Sequence, residues 1–151
     1  MEDIPADTVV TELKTDQNKL SLWKIDSEAD LDDAFIALGS KCNNIGTICA
    51  VKLSTDDLNE LYFDAEKGNT PTIGINEKHC NVINLNFVSL GSFVLAIIQG
   101  IRSNHVIKKS RPEMKKLFAK AFLDNKLDFP NLAPDLQKEI EKEIKKGKLL
   151  L

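Results

Sequence analysis

The chain has 151 residues, 42% of them hydrophobic and 28% charged, and it carries a net charge of −3. These values exclude a disordered or low-complexity chain and suit one folded domain of modal size. The charge is uneven, because residues 1–101 hold 7 basic and 16 acidic side chains whereas residues 102–151 hold 13 and 7. We therefore expect an acidic N-terminal region, a basic C-terminal region and a charge-segregated surface.

The start of the chain and its cysteines predict the compartment. Residues 1–7 lack the basic opening and the apolar run of a secretory signal. The longest apolar run, residues 93–98, is far shorter than the ~20 residues of a membrane-spanning helix. Cys42, Cys49 and Cys80 form no C-x-x-C pair, and their odd number favours reduced thiols. The sequence thus predicts a cytoplasmic protein with no membrane contact.

The first predicted elements are a β-hairpin and a helix. Residues 8–13 and 20–25 are rich in β-branched and apolar side chains, and the turn-forming residues 14–18 separate them. Ser27 is followed by acidic residues and then by apolar residues at helical spacing. This pattern predicts that a helix begins after Ser27 and ends near Gly39.

Strands and helices alternate in the next part of the chain. The apolar segment 47–53 predicts a strand, and the residues after it predict a short helix that includes Tyr62. Residues 64–74 contain two glycines, a proline and small polar residues, which is the composition of an exposed loop. The alternation in residues 81–85 predicts another strand.

The most apolar segment of the chain lies between residues 89 and 103. Its large apolar side chains recur at helical spacing, and they are Leu90, Phe93, Val94, Ile97, Ile98 and Ile101. Leu95 and Ala96 extend the apolar surface to the other side. Because a helix that is apolar nearly all round is normally buried, we expect this helix at the centre of the fold. Residues 105–107 predict a short edge strand after it.

Two further helices are predicted near the C-terminus. Ser110 and Glu113 match the capping box, with Pro112 in the first turn, where its missing N–H is harmless. The helix that they open extends to about Asp124. Pro134 opens the last helix, whose apolar side chains form a narrow stripe of Leu136, Ile140 and Ile144.

The order of these elements predicts an α/β fold. We expect a single domain over residues 1–151, with a mixed β-sheet, an N-terminal hairpin and covering helices. The sheet-containing core is predicted over about residues 1–107, and a helical C-terminal extension over about residues 110–147.

The residue pattern contains no convergent catalytic set. Glu77, His79 and Cys80 are three potential metal ligands, but strand alternation would separate His79 from Cys80, and no second cluster completes a site. Cys49 lies within a predicted strand, where a small buried thiol is usual. The glycines do not reproduce the P-loop or the dinucleotide-binding pattern. We predict no catalytic residue, no metal and no cofactor; the sequence leaves open whether the protein is an enzyme and favours that it is not.

Two charged regions are the most suggestive features. The basic region comprises Lys108, Lys109, Arg111, Lys115, Lys116 and Lys120. It coincides with a predicted helix N-terminus, which adds positive potential and suits phosphates or a carboxylate-rich protein. The acidic region comprises Asp26, Glu28, Asp30, Asp32 and Asp33. The alternative interpretation of both regions is a solvated surface without a partner.

Three functional hypotheses follow from these regions. The leading one is a small cytoplasmic protein-binding module without catalytic activity, of the kind represented by antitoxins and immunity proteins, that acts through charged surfaces. The first alternative is an accessory protein that binds nucleic acid through the basic segment 108–120. The second is an enzyme of unrecognised type around the loop 64–80, with His79 as acid or base. The oligomeric state is not determined by the sequence.

Overall fold

The computed structural model describes residues 17–148, and within them it confirms the α/β class. The helices are α1 (Glu28–Ser40), α2 (Phe87–Arg102), α3 (Arg111–Leu123) and α4 (Pro134–Lys148). The strands are β1 (Leu20–Trp23), β2 (Ile48–Val51), β3 (Tyr62–Asp64), β4 (His79–Ile83) and β5 (Val106–Lys109). The first strand of the predicted hairpin, residues 8–13, lies outside the described residues.

The strands form two small antiparallel sheets. One has the order β1-β4-β3, and the other pairs β2 with β5. In the first sheet Tyr62 lies opposite Ile83 and Asp64 lies opposite Asn81. Tyr62 was predicted on a short helix, and this prediction is wrong, because the helix is only the 3-10 turn Asp56–Leu58 and the chain then becomes extended. Tyr62, Phe63 and Asp64 pair with β4, so Asp64, which was predicted as the first residue of the exposed loop, belongs to a strand.

The chain divides into two compact units. The sheet unit comprises residues 17–22, Ala50–Glu66 and Cys80–Ile107, and the helical unit comprises Trp23–Cys49, Lys67–His79 and residues 108–148. The helical unit therefore combines the two C-terminal helices with α1 and with a segment from the middle of the chain.

The core of the sheet unit joins one face of α2 to the sheet. Phe93 and Ala96 of α2 cluster with Leu58, Val82 and Leu85. Near the end of the helix, Gly100 allows a close approach, since a Cβ atom there would lie 2.8 Å from the Val51 side chain. The inner face of α2 is thus packed against strand and turn residues of its own unit.

The outer face of α2 is exposed, so the prediction that this helix is buried all round is wrong. Only Phe93, Ala96 and Gly100 of α2 are buried, whereas Phe87, Val88 and Leu95 are exposed. The physical reason is the size of the covering layer. Strands of three to five residues can cover one side of a helix, and the opposite side then faces solvent.

The helical unit is built around two helix–helix contacts, α1 with α3 and α3 with α4. In the first contact the Phe118 ring packs against Gly39, and a Cβ atom at position 39 would lie only 2.9 Å from the ring. In the second contact Met114 of α3 and the α4 residues Leu136 and Ile140 are fully buried. The predicted apolar stripe of α4 is therefore confirmed at Leu136 and Ile140, whereas Ile144 is only half-buried.

Local capping chemistry determines where the helices begin. The Ser27 hydroxyl accepts the backbone N–H of Asp30 at 3.2 Å, which confirms the predicted start of α1. At the start of α3 the N–H and the hydroxyl of Ser110 both donate to a Glu113 carboxylate oxygen, at 2.7 and 2.5 Å. At the start of α2 the Asn86 side chain accepts the N–H groups of Val88 and Ser89.

Candidate functional site

A groove between α3 and α4 brings several basic side chains of the helical unit to a common space. Its volume is about 340 Å³, and its lining residues are Arg111, Pro112, Lys115, Lys116, Glu143 and Lys146. We refer to this set as the basic groove. It brings four cations and one carboxylate together on the surface of an acidic chain.

Helix periodicity explains why these side chains converge. Met114 and Phe118 of α3 point inward, which leaves Arg111 and Lys115, one turn apart, at the border of the contact with α4. On α4, Leu136 and Ile140 are buried in the same contact. The polar side of α4 then presents Glu139, Glu143 and Lys146 at intervals of about one turn.

Glu139 holds two of the cations in position. The Arg111 guanidinium donates to both oxygens of the Glu139 carboxylate at 3.1 Å, and the Lys115 ammonium lies 3.4 Å from one of them. Burial acts to raise the pKa of Glu139, but the hydrogen bonds and charges of Arg111 and Lys115 outweigh it and hold the pKa below its ordinary value. Glu139 therefore remains ionised at neutral pH and restrains both cations.

The structure distributes the six basic residues predicted from the sequence over several places. Arg111, Lys115 and Lys116 line the basic groove. Lys109 is instead paired with Asp32 at 2.9 Å. Lys120 lines a separate small cleft between α1 and α3 that also contains acidic side chains.

Lys108, Lys116 and Lys120 are the least restrained of the predicted cations. All three side chains are exposed, and none forms an ion pair within 4.0 Å among residues 17–148. Lys146 and Glu143 were not predicted as part of this site, because they come from α4, about 30 residues further along the chain. The signal that could have identified them is the polar side of α4, opposite its apolar stripe.

The five acidic residues do not form one exposed surface. Asp30 and Asp33 are buried and belong to an aspartate–lysine cluster with Lys78 and Lys126. The Lys126 ammonium lies 2.6 Å from Asp33 Oδ1, and the Lys78 ammonium contacts Asp30 and lies 3.8 Å from Asp33 Oδ2.

Only the N-terminal end of the predicted acidic region is fully on the surface. Asp26 and Glu28 are exposed, and the Asp26 backbone N–H donates to Asp30 at 3.0 Å. Asp32 is half-buried beside Lys109. Most of the acidic region is therefore neutralised by lysines of its own unit, because the fold brings segments that are distant in sequence next to α1.

The loop around residues 64–80 is organised by one buried amide. Asn76 accepts the N–H and the hydroxyl of Thr70 at 3.2 and 2.7 Å, and its NH₂ group donates to the carbonyls of Thr70 and Thr72. The ring of His79 packs edge-on against Trp23, with a centroid distance of 5.3 Å. In the part of the chain that the structure describes, no group of three or more His, Cys, Asp or Glu side chains is placed to hold a metal ion.

Neither a scan of protein-family models nor searches of curated proteins and of solved structures found a match to this chain. None of the helices described over residues 17–148 has the length and apolar character that crossing a membrane requires.

Glu113→Gln is expected to reduce stability in a pH-dependent way. The side-chain and backbone hydrogen bonds from Ser110 hold the pKa of Glu113 below its ordinary value of 4.5. A carboxylate whose pKa is depressed in the folded state contributes stability above its unfolded pKa, and this contribution is lost as pH falls through the folded value. Thermal melts should therefore show a Tm gap between wild type and variant at pH 7 that narrows at pH values below about 4.

Ser110→Ala provides the matched control for this prediction. It removes the hydroxyl that makes the largest contribution to the lowered pKa of Glu113, so the pH dependence of the Glu113→Gln effect should shrink in the Ser110→Ala background. A Tm gap that stays constant from pH 7 to pH 3 would contradict the assignment.

Proposed function

We propose that this protein is a binding module without catalytic activity, which holds an acidic segment of a partner protein in the basic groove. The observation that carries the proposal is the convergence of Arg111, Lys115, Lys116 and Lys146 on one concave surface. Two of these cations are restrained by Glu139, so part of the ordering cost of binding is met before a partner arrives. Electrostatic complementarity of this kind favours fast, salt-dependent association.

The composition of the groove favours carboxylates of a protein over the phosphates of a nucleic acid. Glu143 lies within the groove and Glu139 lies beside it, so the cations do not form the unbroken row that a continuous phosphate backbone would follow. The lining residues include no aromatic side chain on which a base could stack. Discrete carboxylates can instead approach the cations individually between the two glutamates.

The ion pairs of the α1 aspartates also favour an acidic partner over a basic one. Asp30 and Asp33 are buried as well as paired with lysines of the helical unit, so a basic partner would not reach them, whereas the cations of the groove face solvent. If this chain acts as an antitoxin-like or immunity-like protein, we expect its partner to contact the cations of the groove and not α1.

Charge reversal in the groove should weaken the binding of an acidic probe. Lys116→Glu with Lys146→Glu is expected to weaken binding of a fluorescein-labelled Asp/Glu-rich decapeptide by about tenfold or more in low salt, because two attractive contacts become repulsive. Fluorescence anisotropy with the full chain measures the affinity. A higher salt concentration should also lower the affinity of the wild-type chain for the peptide.

The matched control has the same change in net charge at sites outside the groove. Lys41→Glu with Lys138→Glu alters two exposed lysines and should change peptide affinity by less than about threefold. A single-stranded DNA or RNA oligonucleotide of the same length is the second probe. If the oligonucleotide binds and the peptide does not, or if the control pair weakens binding as much as the groove pair, the proposal is wrong.

A further inference from the structure

The outer face of α2 is an exposed apolar surface that no element within residues 17–148 covers. Phe87 is 97% exposed, Val88 is 80% exposed and Leu95 is 60% exposed, on the side of the helix opposite the buried Phe93 and Ala96. Exposed apolar groups that cluster on one helix face mark interaction surfaces more often than isolated exposed residues do. We use "outer face of α2" for Phe87, Val88, Gly91 and Leu95.

This surface lies in a stretch of sequence that carries no formal charge. Residues 79–101 contain no Asp, Glu, Lys or Arg. Within α2 the first charged side chain is Arg102, at the last residue of the helix, so Phe87, Val88 and Leu95 have no charged neighbour on their own helix before that residue. A surface with these properties is complementary to another uncharged apolar surface, since a charged partner would lose hydration without compensation.

Gly91 indicates how a partner would pack on the outer face of α2. Gly39 and Gly100 are explained by contacts within the chain, because a Cβ atom at these positions would lie 2.9 and 2.8 Å from neighbouring side chains. A Cβ atom on Gly91 would meet nothing within 4 Å. Gly91 lies in the second turn of α2, where glycine weakens a helix relative to alanine.

No contact within the described chain accounts for a glycine at this position. Gly147 also has open surroundings, but it lies in the last turn of α4, where glycine is common near a helix end. A glycine on the exposed side of a helix interior allows the backbone of a second helix to come close. The partner of Gly91 therefore lies outside residues 17–148.

We propose that the outer face of α2 binds the same face of a second copy of this chain. Phe87 and Leu95 lie four residues before and four residues after Gly91, so the three form one ridge that is symmetric about the glycine. In an antiparallel pair with a two-fold axis at Gly91, Phe87 of each copy packs against Leu95 of the other. The two glycines meet at the crossing, where a side chain would hold the helices apart.

The size of the face determines the strength of this pairing. A standard interface buries about 800 Å² on each partner. One helix face with three large exposed side chains provides less than this area, since an aromatic side chain contributes roughly 150–250 Å². The dimer is therefore reversible, with a dissociation constant on the order of 10 μM.

Gly91→Ala separates self-association from folding, because the two effects have opposite signs. In the monomer, alanine has open space at this position and favours the helix, so Tm measured at a concentration well below 1 μM should rise by about 2–4 °C. In the dimer the added methyl groups meet at the helix crossing. Sedimentation equilibrium of the full chain should show a dissociation constant raised about tenfold or more.

A pair of lysine substitutions provides the matched control. Leu95→Lys should abolish the dimer because it places two charges in the contact, whereas Leu123→Lys alters a leucine of similar exposure, 64%, on α3 and should leave the dissociation constant within about twofold. Both variants are expected to retain the wild-type circular dichroism spectrum. Their difference therefore reports the location of the contact.

Three results would overturn the proposal. The first is a wild-type chain that remains monomeric at every concentration up to about 1 mM, where a 10 μM dimer would be nearly complete. The second is a dimer that Gly91→Ala and Leu95→Lys leave unchanged. The third is binding of the monomer to zwitterionic lipid vesicles that Leu95→Lys abolishes, in the absence of self-association, which would assign the face to a membrane surface.

Discussion

Phe118→Ala is expected to lower the free energy of unfolding by about 3–5 kcal/mol, the largest effect of any single substitution considered for this chain. Phe118 is fully buried in the helical unit, where its ring fills the space beside Gly39 of α1. Truncation removes the apolar contact and leaves a cavity between α1 and α3, which short helices can close only in part. Urea unfolding followed by circular dichroism and by Trp23 fluorescence measures the loss.

The matched control is the same substitution at an exposed phenylalanine. Phe87→Ala removes a side chain that is 97% exposed, so its effect should lie within about 0.5 kcal/mol when it is measured on the monomer. A loss at Phe87 comparable with that at Phe118 would contradict the assignment of Phe118 to the core.

The close approach of Gly39 to Phe118 gives an internal check on this prediction. Gly39→Ala alone should destabilise the protein, because its Cβ would lie 2.9 Å from the Phe118 ring. In the Phe118→Ala background the ring is gone, and the same substitution should be nearly neutral. Additive effects of the two substitutions would show that the side chains do not share a space.

Helix starts could be predicted from the sequence because their chemistry is local. Ser27 lies three residues before Asp30, whose backbone N–H it accepts, and Ser110 lies three residues before Glu113, whose carboxylate accepts the Ser110 N–H. Such contacts depend on a few neighbouring residues, so no knowledge of the tertiary structure is needed. The apolar stripe of α4 could be predicted for the same reason, since it requires only helical periodicity.

Strand β3 and the exposure of α2 could not be predicted, because each depends on segments distant in the chain. Residues Tyr62–Asp64 become a strand by pairing with β4, and three residues carry little strand preference of their own. The apolar pattern of α2 describes hydrophobicity and not burial. Whether its outer face is covered depends on the extent of the sheet.

The candidate site was predicted only in part. Arg111, Lys115 and Lys116 stand out as a local cluster of charge, whereas Lys146 joins them through the packing of α4 on α3. The distribution of charge along the chain predicts an acidic and a basic region. It does not predict which charges form ion pairs with each other. The burial of Asp33 and its pairing with Lys126, 93 residues away, is a tertiary property.

Asp33→Ala is expected to destabilise the protein by about 2–4 kcal/mol, because it leaves Lys126 without its carboxylate and Lys78 with Asp30 alone. The side chains of both lysines are more than a third exposed and can reach water, which keeps the expected loss below the upper end for fully buried pairs. Chemical denaturation at pH 7 measures the effect. Asp33→Asn should cost less, since the amide oxygen can still accept a hydrogen bond from Lys126.

Asp32→Ala tests whether the burial of Asp33 is the cause of the large loss of stability expected for Asp33→Ala. Asp32 is adjacent in sequence and also pairs with a lysine, Lys109, but its side chain is 38% exposed, so its loss should cost at most about 1 kcal/mol. The double variant Asp33→Ala with Lys126→Met should be less destabilised than the sum of its single variants, because the second substitution removes the charge that the first leaves unpaired. Equal losses at Asp32 and Asp33, together with additivity in the double variant, would mean that the aspartate–lysine cluster contributes no more than surface ion pairs do.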